Sequence, residues 1–413
     1  MESYDFLLDL AIILISTKLL GLVTKRFQMP QVVGALLAGL IFGPAVLNIL
    51  KETDFINKTS EIGVIVLMFT AGLETDIKEL KKTGKASAII ALIGVIVPFL
   101  GGYVIAAVYN TRIGSDASAS VFLQNMFIGV ILTATSVSIT VETLKEIGKL
   151  NTRAGNAILG AALIDDILGI IALTIVTSLA DTSVKLSKIL LLIISFFLLT
   201  AVIGFIFHYL FGLYIKRCKG DKRRFVIVAF AFCLVLSYLA DEVFGVADIT
   251  GAFMAGLIIS TLPRSNYIAS RFNTLSYIFL SPIFFASIGL KVVLPAMTGQ
   301  IIIFSLLLLF LAILTKIVGC GIGAKLCGYT NQESMQIGCG MISRGEVALI
   351  IANKGAALGL LSSVFFGPII ITVIITTVIS PIFLKLAFRS KKGVMLETTN
   401  SLVEDYNEMG RME

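Results

Sequence analysis

Gly160 to Thr174, GAALIDDILGIIALT, sets two adjacent carboxylates, Asp165 and Asp166, inside an otherwise apolar, small-residue-rich run. One Asp at the centre of a bilayer costs roughly 2.5 to 3.5 kcal/mol on insertion scales, so a pair there calls for a water-filled cavity or a positive partner. Neighbouring residues on a helix diverge by about 100°. The two carboxylates therefore point to different partners, one to a buried cation and the other toward solvent and substrate. Apolar flanks on both sides argue against two water-exposed helix-end acids.

The whole chain agrees with a membrane setting. Its 413 residues are 57% hydrophobic and 14% charged, with a mean hydropathy of +0.98, which belongs to the polytopic class rather than the soluble one. Met1 to Asp5 is acidic and no small-residue cleavage site follows, so the first apolar segment reads as a retained helix. Cys218, Cys233, Cys320, Cys327 and Cys339 have no metal-ligand spacing and there is a single histidine. Free thiols, no zinc, no haem and no other cofactor are expected. The net charge of +7 is attributed to membrane topology rather than to nucleic acid.

Apolar runs of spanning length place thirteen helices, at about 5–24, 30–50, 57–74, 86–109, 121–147, 151–180, 184–216, 223–243, 247–262, 267–290, 294–327, 333–358 and 363–388. The odd-numbered connections and the tail collect most of the Lys and Arg, from Lys25 and Arg26 through Lys78 to Lys85 and Lys216 to Arg224 to Lys392. Their threefold excess puts that side in the cytoplasm, with the N-terminus outside and the C-terminus inside.

Two segments in matching positions of the two halves are interrupted. One carries Thr133-Ala134-Thr135-Ser136-Val137-Ser138; the other carries Gly338-Cys339-Gly340-Met341-Ile342-Ser343-Arg344-Gly345-Glu346. Broken backbone at membrane depth is tolerated where it lines a cavity or is buried in protein, and a matched pair points to the ion site of an inverted-repeat transporter. Hydroxyls bonded back to their own helix are the plainer alternative for the first segment. Lys316, about eleven residues before Cys327 and near mid-span, calls for an acid, Asp165 or Asp166; snorkelling to an interface is its alternative. Arg344 and Glu346 are expected to pair with each other or with Glu142 or Glu74, as electrostatic support of the crossing rather than as ion ligands. Glu74 is either a solvated loop acid or part of an acidic mouth that concentrates cations. Asp248 reads as a helix N-cap, and His208, on an apolar background, as structural.

Together and in order, Ala71-Gly72-Leu73-Glu74, Thr133-Ala134-Thr135-Ser136, Ala162-Leu163-Ile164-Asp165-Asp166, Thr250-Gly251-Ala252-Phe253-Met254-Ala255-Gly256-Leu257, Lys316 and Ser343-Arg344-Gly345-Glu346-Val347-Ala348-Leu349 carry a resemblance. The chain resembles bacterial monovalent cation/proton antiporters of the CPA2 family, especially the NapA-type sodium/proton antiporters, from Phe6 to about Phe388. The resemblance implies an all-α polytopic fold with two crossing discontinuous helices. It implies dimerisation helices in 1–79 and 223–293, a mobile core in 80–182 and 294–388, a linker in 183–222 and a short cytoplasmic tail in 389–413. It further implies a homodimer in the inner membrane. Asp166 would bind the cation and exchange protons, Asp165 would pair with Lys316, Thr133, Thr135 and Ser136 would supply oxygens, and Arg344 and Glu346 would support the crossing. Paired aspartates with the lysine look like two protons exchanged per sodium ion, hence electrogenic transport. The tail is too short for the nucleotide-binding domain of glutathione-gated potassium efflux systems.

In physical terms, proton and cation (Na+, Li+ or K+) compete for one carboxylate. Asp166 is near neutral with either bound, whereas its empty charged form is costly to move through a low-dielectric path, which forbids leak. Potassium/proton exchange stays open, as does a non-transporting membrane sensor. An intramembrane aspartyl protease does not fit, because adjacent helical positions cannot share a proton across about 3 Å.

Overall fold

The computed structural model describes residues 4–27, 29–113, 119–180, 186–217, 223–292 and 299–389. Apolar runs punctuated by glycine, proline and charge fold there into helices, with no strand among the described residues. The first half comprises α1 (Asp5–Arg26), α2 (Gln31–Phe42), α3 (Asp54–Glu74), α4 (Ile77–Ile113), α5 (Val121–Thr133), α6 (Val137–Glu146), α7 (Arg153–Ala180) and α8 (Leu186–Arg217). The second comprises α9 (Arg223–Tyr238), α10 (Asp248–Ser260), α11 (Ser265–Leu275), α12 (Ser281–Leu290), α13 (Gly299–Leu326), α14 (Asn331–Gly340), α15 (Glu346–Ala357) and α16 (Ser363–Phe388). Single π-helical stretches, Leu239–Val243 and Ser276–Leu280, extend α9 and join α11 to α12.

Among the described residues, ten helical segments are long and apolar enough to cross a membrane. Gln31–Phe42, Asp248–Ser260 and Val347–Ala356 are apolar but shorter. Three of the thirteen expected crossings, 30–50, 247–262 and 333–358, thus rest on short helices. For the first, the cause is local. Helix α2 stops at Gly43-Pro44, because proline disfavours the helical conformation of the residue before it and has no N–H to donate. The chain then turns back, with the Leu50 N–H bonded to the Phe42 carbonyl at 2.8 Å. Conversely, α4 starts at Ile77, well before the expected 86, because the lysine-rich Lys78 to Lys85 stretch continues the helix.

The helices pack as two sets. Helix α4 packs on α5, α7 and α13, and α13 on α14 and α16; separately, α2 packs on α1 and α12, and α3 on α10, α11 and α12. Helix α8 touches one member of each set, α7 and α10. In the second set the backbones meet directly. A Cβ on Gly72 of α3 would lie 2.3 Å from the Phe253 carbonyl oxygen, and one on Gly256 of α10 would lie 2.2 Å from that of Phe69. Only glycine at both positions allows this crossing. Helices in lipid gain no hydrophobic drive toward one another, so such close van der Waals approach is what holds them.

Candidate functional site

Two broken helices cross inside the first set. Helix α5 ends at Thr133 and α6 begins at Val137; α14 ends at Gly340 and α15 begins at Glu346. The unwound linkers bond to each other: the Ser136 N–H donates to the Ser343 carbonyl at 2.7 Å, and the Ser343 hydroxyl donates to the Ser136 carbonyl at 2.9 Å. Thr140, one turn into α6, donates to the Gly340 carbonyl at 2.8 Å and lies 2.8 Å from the Ser343 hydroxyl. Backbone polar groups freed by the breaks thus find partners in the opposite break, which permits irregular chain at this depth.

Two carbonyl-bearing helix C-termini and two N–H-bearing N-termini converge here, so partial charges of both signs meet in a buried volume. Arg344, 1% exposed, serves the negative ends. Its guanidinium donates to the Leu132 carbonyl at 2.6 Å and to the Ile342 carbonyl at 3.1 Å. The Thr377 hydroxyl of α16 donates to the Arg344 carbonyl. Arg344 therefore meets carbonyls and pairs with neither Glu74 nor Glu142, two of the three carboxylates considered from sequence. The side chain of Glu346 lies outside the described residues.

Asp165 and Asp166 sit mid-way along α7, which packs against α4 and α5. Lys316 of α13, fully buried, donates to both Asp165 oxygens, at 2.9 and 3.1 Å. Thr135 of the first break also faces Asp165, and its hydroxyl lies 3.5 Å from the Met341 carbonyl. Asp166 is 8% exposed, one residue on and rotated by about 100°. Of the other expected oxygen donors, Thr133 turns its hydroxyl proton back to the Val130 carbonyl of its own helix at 2.7 Å. The Ser136 hydroxyl lies 3.3 Å from that of Ser138. The structure thus gathers Asp165, Lys316, Thr135, Ser136 and Arg344 around one crossing, with Asp166 beside it.

Glu74 and Glu142 belong to a second place. Lys145 of α6 reaches the Glu74 carboxylate at 3.4 Å, the Thr70 hydroxyl at 3.1 Å and the Asn273 amide oxygen at 3.0 Å. The Asn273 amide nitrogen closes the group by donating to Glu74 at 2.6 Å. Next along, the Glu146 carboxylate accepts the Gln31 N–H at 2.6 and 2.8 Å, capping α2. Helix α6 is thereby tied to α2, α3 and α11 of the other set. A cavity of about 310 Å³ opens at this boundary, lined by Glu142, Lys145, Glu146, Lys18, Asn273 and Tyr277 among others. Glu142 lies five residues into α6 from the break, about 8 Å along its axis. Sequence reasoning missed Lys145, Asn273, Thr140 and Thr377. The hydroxyls of Thr376 and Thr377 in an apolar helix were the one local signal; the Glu146 cap joins residues 115 apart and has none.

Comparison with known proteins decides the family. A family model described as "Sodium/hydrogen exchanger, transmembrane" matches residues 11–389. The chain belongs to this exchanger family. Among its relatives, the "Na(+)/H(+)-K(+) antiporter GerN" of Bacillus cereus is 40% identical over 399 residues, 95% of this chain and 99% of that protein. A "Na(+)/H(+) antiporter" of Enterococcus hirae is 36% identical, covering 92% and 97%. The solved sodium proton antiporter MjNhaP1 of Methanocaldococcus jannaschii shares the fold, with a TM-score of 0.64 at 18% identity, over 92% of this chain and 97% of that one. This exchanger-family chain is a multi-span membrane protein and a monovalent cation/proton antiporter, a class of transporters rather than enzymes. No group of three or more His, Cys, Asp or Glu with metal-holding geometry occurs among the described residues. Cys233, Cys320, Cys327 and Cys339 are free; Cys218 lies outside the described residues.

Proposed function

We propose that the protein exchanges cytoplasmic sodium or lithium ions for external protons, electrogenically, at Asp166. The observation that carries this reading is the fully buried Lys316–Asp165 pair beside Asp166, at a crossing built from broken helices. A small hard cation needs several oxygens to replace its hydration shell; Asp166, the Thr135 and Ser136 hydroxyls and the carbonyls of the breaks are the oxygens at hand. Cation binding at Asp166 weakens the hold of Asp165 on Lys316, which releases the second proton. Arg344 keeps the carbonyl ends neutralised while the site changes occupant.

In this reading α4 to α7 and α13 to α16 move as the core, and α1 to α3 and α9 to α12 form the fixed, dimerising part, with α8 as linker. The N-terminus is outside, so the cavity lined by Glu142 and Glu146 faces the cytoplasm and its acids draw cations inward.

Potassium is the second reading, favoured by the relative whose name includes it at 40% identity. Both are tested by proton flux in sealed liposomes, driven by sodium or potassium gradients, with and without a potential clamp, beside Asp166→Asn. Sodium-driven flux that changes with the clamp and vanishes in the variant supports the first reading. Equal drive by potassium, or indifference to voltage, moves the assignment to a potassium or an electroneutral exchanger. No flux with either ion refutes both readings.

A further inference from the structure

A second cavity, of about 480 Å³, lies at the C-terminal ends of α6 and α16 against the α1–α2 turn. Its volume is that of a small-ligand cleft. Its floor is apolar, with Met29, Ile382 and Phe388, and its rim carries three cations, Lys149, Lys385 and Arg389. None of these three makes an ion pair with a carboxylate among the described residues. The acid in the lining, Glu146, accepts the Gln31 N–H and lies within the field of Lys385 without forming an ion pair with it.

Arg389 is the last described residue, so the chain leaves for residues 390–413 from the rim of this groove. From Gly393 to Gly410 that tail holds Glu397, Glu404, Asp405 and Glu408 and no Lys or Arg, with Leu402-Val403 directly before Glu404-Asp405. An apolar pair followed by two acids matches an apolar floor rimmed by cations.

We propose that the acidic stretch 393–410 of this chain docks in the groove between the α1–α2 turn and the ends of α6 and α16, and restrains exchange. Exposed ion pairs are individually weak, but the tether supplies the stretch at an effective concentration on the order of millimolar. A modest intrinsic affinity therefore suffices. Docked, the stretch touches both packing sets at once and hinders their relative movement; this part rests on the core-sliding reading above.

The test uses the full chain in liposomes, with a photo-crosslinker in place of Leu402 (Leu402→p-benzoylphenylalanine) and mapping of the attachment points by mass spectrometry. Expected attachments fall on Met29, Ile382, Leu386 and Phe388. They should be lost in Lys149→Glu/Lys385→Glu and regained when Glu404→Lys/Asp405→Lys is added. Truncation after Arg389 is expected to speed initial exchange about threefold at subsaturating cation, since an effective concentration near 1 mM over a Kd near 0.5 mM leaves about a third of the protein undocked. Lys149→Glu/Lys385→Glu should match that gain, and truncating it should add nothing.

Attachments elsewhere, or attachments indifferent to the charge reversals, overturn docking. Attachments that disappear when anionic phospholipid is included, with truncation leaving the rate unchanged, overturn it in favour of a lipid headgroup in the groove. Crosslinking needs no transport. A protein that carries no sodium but still gives the expected attachments refutes the proposed function and leaves docking standing.

Discussion

Replacing Lys316 by Gln removes one half of an ion pair whose partners are almost wholly shielded, with 0% and 1% of their side-chain surfaces exposed. At the observed 2.9 Å and an effective dielectric of about 20, the attraction lost is about 6 kcal/mol. Part of that offsets the cost of taking both charges out of water, and breaking such a pair from one side generally destabilises by about 3–5 kcal/mol because a charge is left buried. Removing both, in Asp165→Asn/Lys316→Gln, leaves no orphaned charge and should restore most of the loss. With an unfolding entropy that scales with a 413-residue chain, the single variant should melt about 3–6 °C lower. The chain has no tryptophan, but Cys233, Cys320 and Cys339 are buried, so a dye that fluoresces on reacting with thiols reports unfolding directly. If the double variant melts as low as the single one, or the single one as high as the native protein, the pair does not hold this crossing.

Asp166→Asn is expected to fold and melt normally while losing cation-driven proton flux; retained flux would place the exchange elsewhere. Competition between proton and cation for one carboxylate predicts that the apparent KM for sodium rises by up to about tenfold per unit fall in pH on the acid side, with the maximal rate little changed; a KM flat across pH 6 to 8 speaks against shared binding. Thr140→Val removes the bond to the Gly340 carbonyl and the contact with Ser343, and leaving buried acceptors unmet should destabilise by about 1–3 kcal/mol, read as a lower melting temperature. Lys316→Gln exchange that still moves two protons per cation would remove the lysine from the stoichiometry.

Much of this architecture is legible in the chain because lipid enforces it. A backbone that cannot bond to water must be helical, so apolar length reports helices, and a polar or glycine-broken run inside one reports a place where protein supplies the missing partners. That logic located both breaks and singled out Lys316. It left open which aspartate the lysine meets, since two adjacent residues differ only by a rotation that depends on how α7 faces α13. It expected Arg344 to support the crossing through an acid, Glu346, Glu142 or Glu74, whereas its guanidinium donates to the Leu132 and Ile342 carbonyls; a guanidinium can be satisfied by either kind of acceptor, and composition does not distinguish the two. The Lys145 group and the Glu146 cap were out of reach for a different reason. They join residues brought close only by the packing of the two sets, and charged residues near a membrane edge have many eligible partners.

The crossing of α3 and α10 at Gly72 and Gly256 fixes their spacing by main chain alone, so no rotamer change can loosen or tighten it. Heat, solvent or detergent that softens side-chain packing elsewhere would leave this joint at its set distance. Amide hydrogens flanking the two glycines should therefore be among the slowest in the molecule to exchange with deuterium. Even one added methyl group would act like grit in a bearing, prising two helices apart along their length rather than filling a gap.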